Sequence, residues 1–141
     1  MEHINQVEQF IQEIIKSQNL AFLGSVDANG FPAVRAMLRP RKYDDIRDMW
    51  FTTHSPSDKV KHFEDNPKAC VYFCDPARFH GILLRGEIKV YDAVAAERQL
   101  SNIGDALYYP KIEFANGYMA LNFMSISGRL YQQHHSEDFF I

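Results

Sequence analysis

Apolar positions change period several times along the chain, and each change marks an element. Ile4, Val7, Ile11, Ile14 and Ile15 recur at helical spacing with Glu and Gln between them, which predicts an amphipathic helix closed at Asn19. "LAFLGSVD" then reads as a strand, "DANG" at 27–30 as a hairpin turn, and "FPAVRAMLRP" as the return strand. Strand alternation puts Val34, Ala36 and Leu38 on one face of that return strand, and Arg35, Met37 and Arg39 on the other. "RKYDDIRD" predicts a second turn and "MWFTT" a third strand. A short helix follows from Lys59 to Asp65, with Val60 and Phe63 inward and Pro67 ending it. "ACVYFCD" and "FHGILLRGEIKVY" read as the fourth and fifth strands, Gly86 marking a bulge or a close backbone approach. Asp92 is placed to cap a further helix running to about Asn102. "GDALYYPK" reads as irregular, and "GYMALNFMSI" with "GRLYQQ" as one or two closing strands.

Six or so strands joined mostly by turns predict a mainly β (α+β) chain, an antiparallel barrel or sandwich with a few flanking helices. The sequence lacks a GxGxxG fingerprint and regular βα alternation, which disfavours a doubly wound dinucleotide fold. A length of 141 residues favours one domain over 1–141, and 46% hydrophobic residues are enough for a real core. No apolar run approaches the roughly 20 residues that span a bilayer, and the polar start "MEHINQVEQFIQEIIK" lacks a signal-peptide pattern. A cytoplasmic protein without a membrane partner is the default expectation.

The net charge of −3 argues against a general nucleic-acid binder. Yet Arg35, Arg39, Arg41, Lys42 and Arg47 crowd one short segment, which suits a small anionic ligand better than a long polyanion. The plain alternative is a solvated hairpin end, partly neutralised by Asp44 and Asp45. Cys70 and Cys74 would share a strand face at a separation of about 13 Å, too far for a disulfide, and so read as reduced core thiols. The six histidines show no HExxH or zinc-finger spacing, so no metal site is expected. There is no G-x-S-x-G elbow and no Walker A loop.

The stretch "WFTTHSPSDKVKHFEDNP" carries the chemistry. It gathers hydroxyls and one lysine where a strand turns into a helix. Ordinary helix capping accounts for Ser, Thr and Asp there. A phosphate site accounts for them too, since a helix start offers N–H groups and positive potential. Arg35 projects from a strand that a short hairpin joins to the strand leading into this turn. Arg offers a bidentate fork to phosphate oxygens, Lys a point charge, and Thr52, Thr53 and Ser57 complete an oxygen shell. Met37, Leu38 and Trp50 would support a flat ring beside it. Flavin mononucleotide (FMN) fits that description, and pyridoxal phosphate fits it as well.

The order helix, "NLAFLGSVDANGFPAVRAML", "MWFTTHSPSDKVKHFEDNPKACVYF" and "GILLRGEIKVYD" resembles the pyridoxamine 5'-phosphate oxidase-like proteins, which are FMN-binding split β-barrels. The resemblance runs from about Asn19 to Ile141, and the hydroxyl-x-Lys turn followed by "NP" is its most specific part. The ending "GRLYQQHHSEDFFI" is similar to that of small general-stress-protein-like members. The resemblance implies a six-stranded antiparallel split β-barrel. It also implies a homodimer with FMN in clefts between subunits, and a small-molecule substrate. It implies that Arg35, Ser57 and Lys59 hold the phosphate. Ala36, Met37 and Leu38 would line the isoalloxazine ring through backbone and apolar contacts, and Thr52 and Thr53 would bond flavin atoms. The sequence departs from the family in having Asp58 at a usually basic position, Gly81 where a glutamine often stands, and Tyr131 in place of the histidine of an Arg-x-His substrate motif. The reading is therefore an FMN-dependent oxidoreductase other than a true pyridoxamine phosphate oxidase. The alternatives are a non-catalytic barrel that binds flavin or haem, the latter suggested by "QQHH", and a single-strand nucleic-acid barrel.

Overall fold

The computed structural model describes residues 2–54, 57–100 and 118–141. Among the described residues, three helices, α1 (Glu2–Ser17), α2 (Asp58–Asp65) and α3 (Ala93–Leu100), accompany eight strands. The strands are β1 (Leu20–Val26), β2 (Pro32–Leu38), β3 (Lys42–Asp45), β4 (Asp48–His54), β5 (Lys68–Asp75), β6 (His80–Tyr91), β7 (Tyr118–Gln132) and β8 (His135–Phe140). They form one antiparallel sheet in the order β2-β1-β5-β6-β7-β4-β3, with β8 paired to β7, and the sheet curls into a half-barrel. The split-barrel expectation holds, with two more strands than the sequence reading counted. The segment read as a second turn contains β3, and the C-terminal tail returns along β7 as β8. "GDALYYPK" and the end of the helix beyond Leu100 lie outside the described residues.

Local chemistry accounts for each boundary that positions the site. In the β1–β2 turn, Asp27 Oδ1 accepts hydrogen bonds from the Asn29 and Phe31 N–H groups, each at 2.9 Å. Gly30 closes that turn at φ +84°, where a side chain is strained. Asp92 caps α3 as expected, its Oδ1 accepting from the Ala95 N–H at 2.9 Å. Val60 and Phe63 are the buried residues of α2, as their spacing implied.

The main core lies on the concave side of the sheet. Val7, Ile11 and Ile14 of α1 pack there against Phe51, Phe73 and Phe123, all three fully buried. A smaller cluster of Trp50, Ala96, Leu100 and Ala120 lies on the opposite face of β4 and β7, beneath α3. Cys70 and Cys74 are free thiols, but they are half-buried on the outer face of β5 rather than in the core. Val71 and Phe73 hold the inward positions.

β7 serves three neighbours. Residues Tyr118–Met124 pair with β4, and residues Ser127–Gln132 pair with β8 on the same edge. Between these runs, Arg85 pairs with Ser127 while Gly86 pairs with Ser125, so Ile126 is the extra residue of a bulge. The bulge reverses parity. Phe123 and Leu121 face the core on one side of it and Leu130 on the other. Gly86 sits where a Cβ would overlap the Met124 carbonyl, so the sequence expectation of a close approach there is met. We expect Gly86→Ala to cost about 1–3 kcal/mol through forced backbone displacement, read as a lower urea midpoint. An unchanged midpoint would show that β7 moves aside freely.

Candidate functional site

The β1–β2 hairpin and α2 meet at a cationic corner. Arg35 stands on β2 opposite Leu23, and its guanidinium donates to the Leu23 carbonyl at 3.1 Å. β2 is the terminal strand of the sheet order, so among the described residues it pairs through β1 alone. From the other side, β4 ends and the chain turns into α2. Thr53, buried at the end of β4, places its Oγ1 3.4 Å from the Ser57 Oγ. Ser57 occupies the N-cap position in extended backbone (φ −74°, ψ 148°), yet its hydroxyl makes no capping bond. The capping explanation for this hydroxyl therefore fails, and the oxygen remains beside Thr53.

α2 is pinned against β1 by a bond that neither segment announces alone. The Ser25 hydroxyl and His62 Nδ1 lie 2.8 Å apart, and Ser25 is buried. Lys59 stands three residues before His62 and therefore on the same flank of the helix. Its ammonium is pushed below the usual lysine range, first by burial and then by the charge of Arg35. Burial likewise lowers Arg35. The carboxylate that opposes both shifts is Asp58, exposed at the start of α2. Two half-buried cations of like sign, from separate elements, thus lie near enough for the charge of Arg35 to act on Lys59, and an anion beside both would relieve both.

The sequence-derived site residues separate into two groups. Arg35, Thr53, Ser57 and Lys59 gather at this corner. Thr52 points to the opposite face of β4, the side on which Trp50 packs against Tyr91 with ring centroids 5.0 Å apart. Trp50 is buried there, so it does not stand beside Arg35. Ala36 and Leu38 lie on the face of β2 that turns away from Arg35, and Leu38 is 55% exposed. Met37 shares the face of Arg35 but is buried in the core. Strand alternation forbids these three side chains from forming one surface. What β2 offers along its edge is backbone N–H and C=O.

The basic segment is dispersed in the same way. Arg47 pairs with Asp45 at 3.6 Å, and Arg41 is buried. Gly81 lies beneath Tyr72, whose ring an added Cβ would strike. Arg129, the arginine two residues before Tyr131, is engaged by Asp138 at 2.9 Å and by Ser136 at 2.7 Å.

Ser25 and His62 were missed by the sequence reading. A signal existed: Ser25 falls at an inward position of β1, in step with Ala21 and Leu23, and a polar residue there needs a partner. The exposed apolar face was missed as well. Leu20, Phe22, Val34 and Leu38 all point outward from β1 and β2, and the pairings Leu20–Leu38 and Phe22–Ala36 make them contiguous. Tyr72 of β5 continues that face opposite Phe22.

Comparison with known proteins agrees with this architecture. A protein related to general stress protein 26 of B. subtilis (pyridoxinephosphate oxidase family), from Clostridium acetobutylicum, superposes with a TM-score of 0.79 at 28% identity, covering 94% of this chain and 93% of that one. A pyridoxamine 5'-phosphate oxidase-related, FMN-binding protein from Nostoc punctiforme gives a TM-score of 0.65 at 16% identity, covering 94% and 95%. HupZ of Group A Streptococcus gives 0.65 at 20% identity, covering 89% and 94%. No curated protein matches. The pyridoxamine 5'-phosphate oxidase family model matches residues 7–129, and the chain therefore belongs to that family.

Proposed function

We propose that the protein binds FMN, with the phosphate between Arg35 and Lys59, and acts as an FMN-dependent oxidoreductase on a small substrate. The observation that carries this reading is the convergence of a guanidinium and an ammonium from β2 and α2, both partly stripped of water. Thr53 and Ser57, whose hydroxyls lie 3.4 Å apart where β4 leads into α2, would supply neutral oxygens. The ring would lie along the backbone edge of β2, since the side chains of Ala36 and Leu38 face away and that of Met37 is buried. When bound, the flavin supplies the redox chemistry, and the protein supplies binding and orientation. Family membership and the FMN-binding neighbour from Nostoc support the cofactor assignment. Pyridoxamine phosphate is a poor substrate candidate, because Arg129 is tied to Asp138 and Ser136 and Tyr131 stands two residues on.

The outer apolar face belongs to the same proposal. Contiguous exposed apolar surface of this kind marks an interface. We assign it to a second copy of the chain, which makes the protein a homodimer with flavin sites beside the shared surface.

Three measurements check these statements. Titration with FMN should saturate, and Arg35→Ala and Lys59→Ala should each weaken binding by about ten-fold or more, the loss of one charge-assisted bond. A colourless protein that takes up no flavin at saturating FMN rejects the cofactor. His62→Ala should weaken FMN several-fold by freeing α2, while His62→Gln, which retains a hydrogen-bonding group, should recover part of the loss. Equal losses in the two variants would assign His62 to packing alone. Sedimentation should give a dimer for the parent protein, and Leu38→Glu should shift it toward monomer. A monomeric parent protein rejects the interface.

A further inference from the structure

Asp58 stands at the one corner of the molecule where a negative charge works against the proposed ligand. It directly precedes Lys59 and sits four residues before His62, on the helix flank that the His62–Ser25 bond turns toward β1. β1 pairs with β2 at the very position of Arg35, through Leu23. Carboxylate, ammonium and guanidinium are therefore presented on one side of the hairpin. Asp58 is the carboxylate whose charge acts on both Arg35 and Lys59.

We infer that Asp58 sets how tightly the site holds a phosphate, acting as a resident anion that makes the flavin nucleotide an exchangeable ligand rather than a permanently held group. The inference rests on the FMN reading above. A dianionic phosphate placed between Arg35 and Lys59 meets a like charge within the same turn of helix. The carboxylate is exposed, so it keeps its own water and its repulsion is moderated by solvent, not abolished. The result is a site with enough attraction to capture the nucleotide and a standing push toward release.

A competing account is that Asp58 serves only α2, since an acidic residue in the first turn favours the helix dipole. The two accounts differ in sign. If Asp58 serves only the helix, removing its charge loosens α2 and weakens FMN. If it competes with the phosphate, removing its charge strengthens FMN.

The test compares the parent protein with Asp58→Asn and Asp58→Glu by FMN titration and by the rate of FMN release on dilution. Riboflavin, which lacks the phosphate, serves as the control ligand. Asp58→Asn should bind FMN about three- to five-fold more tightly at low ionic strength, with correspondingly slower release. The gain should shrink as salt is added. Asp58→Glu should resemble the parent, and riboflavin should respond to neither change. Equal or weaker FMN binding by Asp58→Asn overturns the inference and leaves the FMN reading intact, as does an equal gain for riboflavin. No FMN binding by either protein overturns the FMN reading itself.

Discussion

β1 holds two obligations at once, and the cationic corner exists because it meets both. It pairs with β2 along its whole length and with β5 through Phe22–Gly24. Its inward side chains Ala21 and Leu23 belong to the core, which fixes its register, since a one-residue slip would send them to solvent. Fixed register places Arg35 opposite Leu23. The third inward residue, Ser25, carries the bond to His62 and so sets the orientation of α2. A strand buried for apolar reasons thereby decides where two charges meet.

That arrangement answers why an unfavourable pair persists. Arg35 and Lys59 repel each other and are both partly desolvated. Neither element would bring them together for its own stability. Each is held by something else, Arg35 by the hairpin and its bond to the Leu23 carbonyl, Lys59 by Val60, Phe63 and His62. Charge repulsion of this modest size, on the order of 1 kcal/mol between partly exposed groups, is small beside the burial of two apolar side chains. The core imposes the geometry, and the site inherits it.

Much of the fold was legible in the sequence because most elements announce themselves by period. Val7, Ile11 and Ile14 give α1, Val60 and Phe63 give α2, and "DANG" gives the first hairpin. What escaped had no local signal. β3 is four residues long and polar at three of them, so it reads as a turn. β8 carries His135, Ser136, Glu137 and Asp138, and it forms because β7 leaves an edge open beyond its bulge. Of the candidate site, the two elements that carry Arg35 and Lys59 were readable, since a strand and a strand-to-helix turn are both recognisable. The parity of Thr52, Ala36 and Leu38 was also available from alternation, but a family pattern that names consecutive residues hides it. The Ser25–His62 contact joins residues 37 apart and could not be paired from sequence alone.

The position of β2 at the end of the sheet has a consequence for the life of the newly made chain. Among the described residues its backbone edge is unpaired on one side, and its outer face presents Val34 and Leu38, 67% and 55% exposed. An apolar, open-edged strand is a template for wrong pairings between chains. Whatever covers it must therefore arrive soon after synthesis. In the homodimer proposed above, stability would follow mass action: dilution would uncover the strand, and crowding many copies together before they dock would invite precipitation.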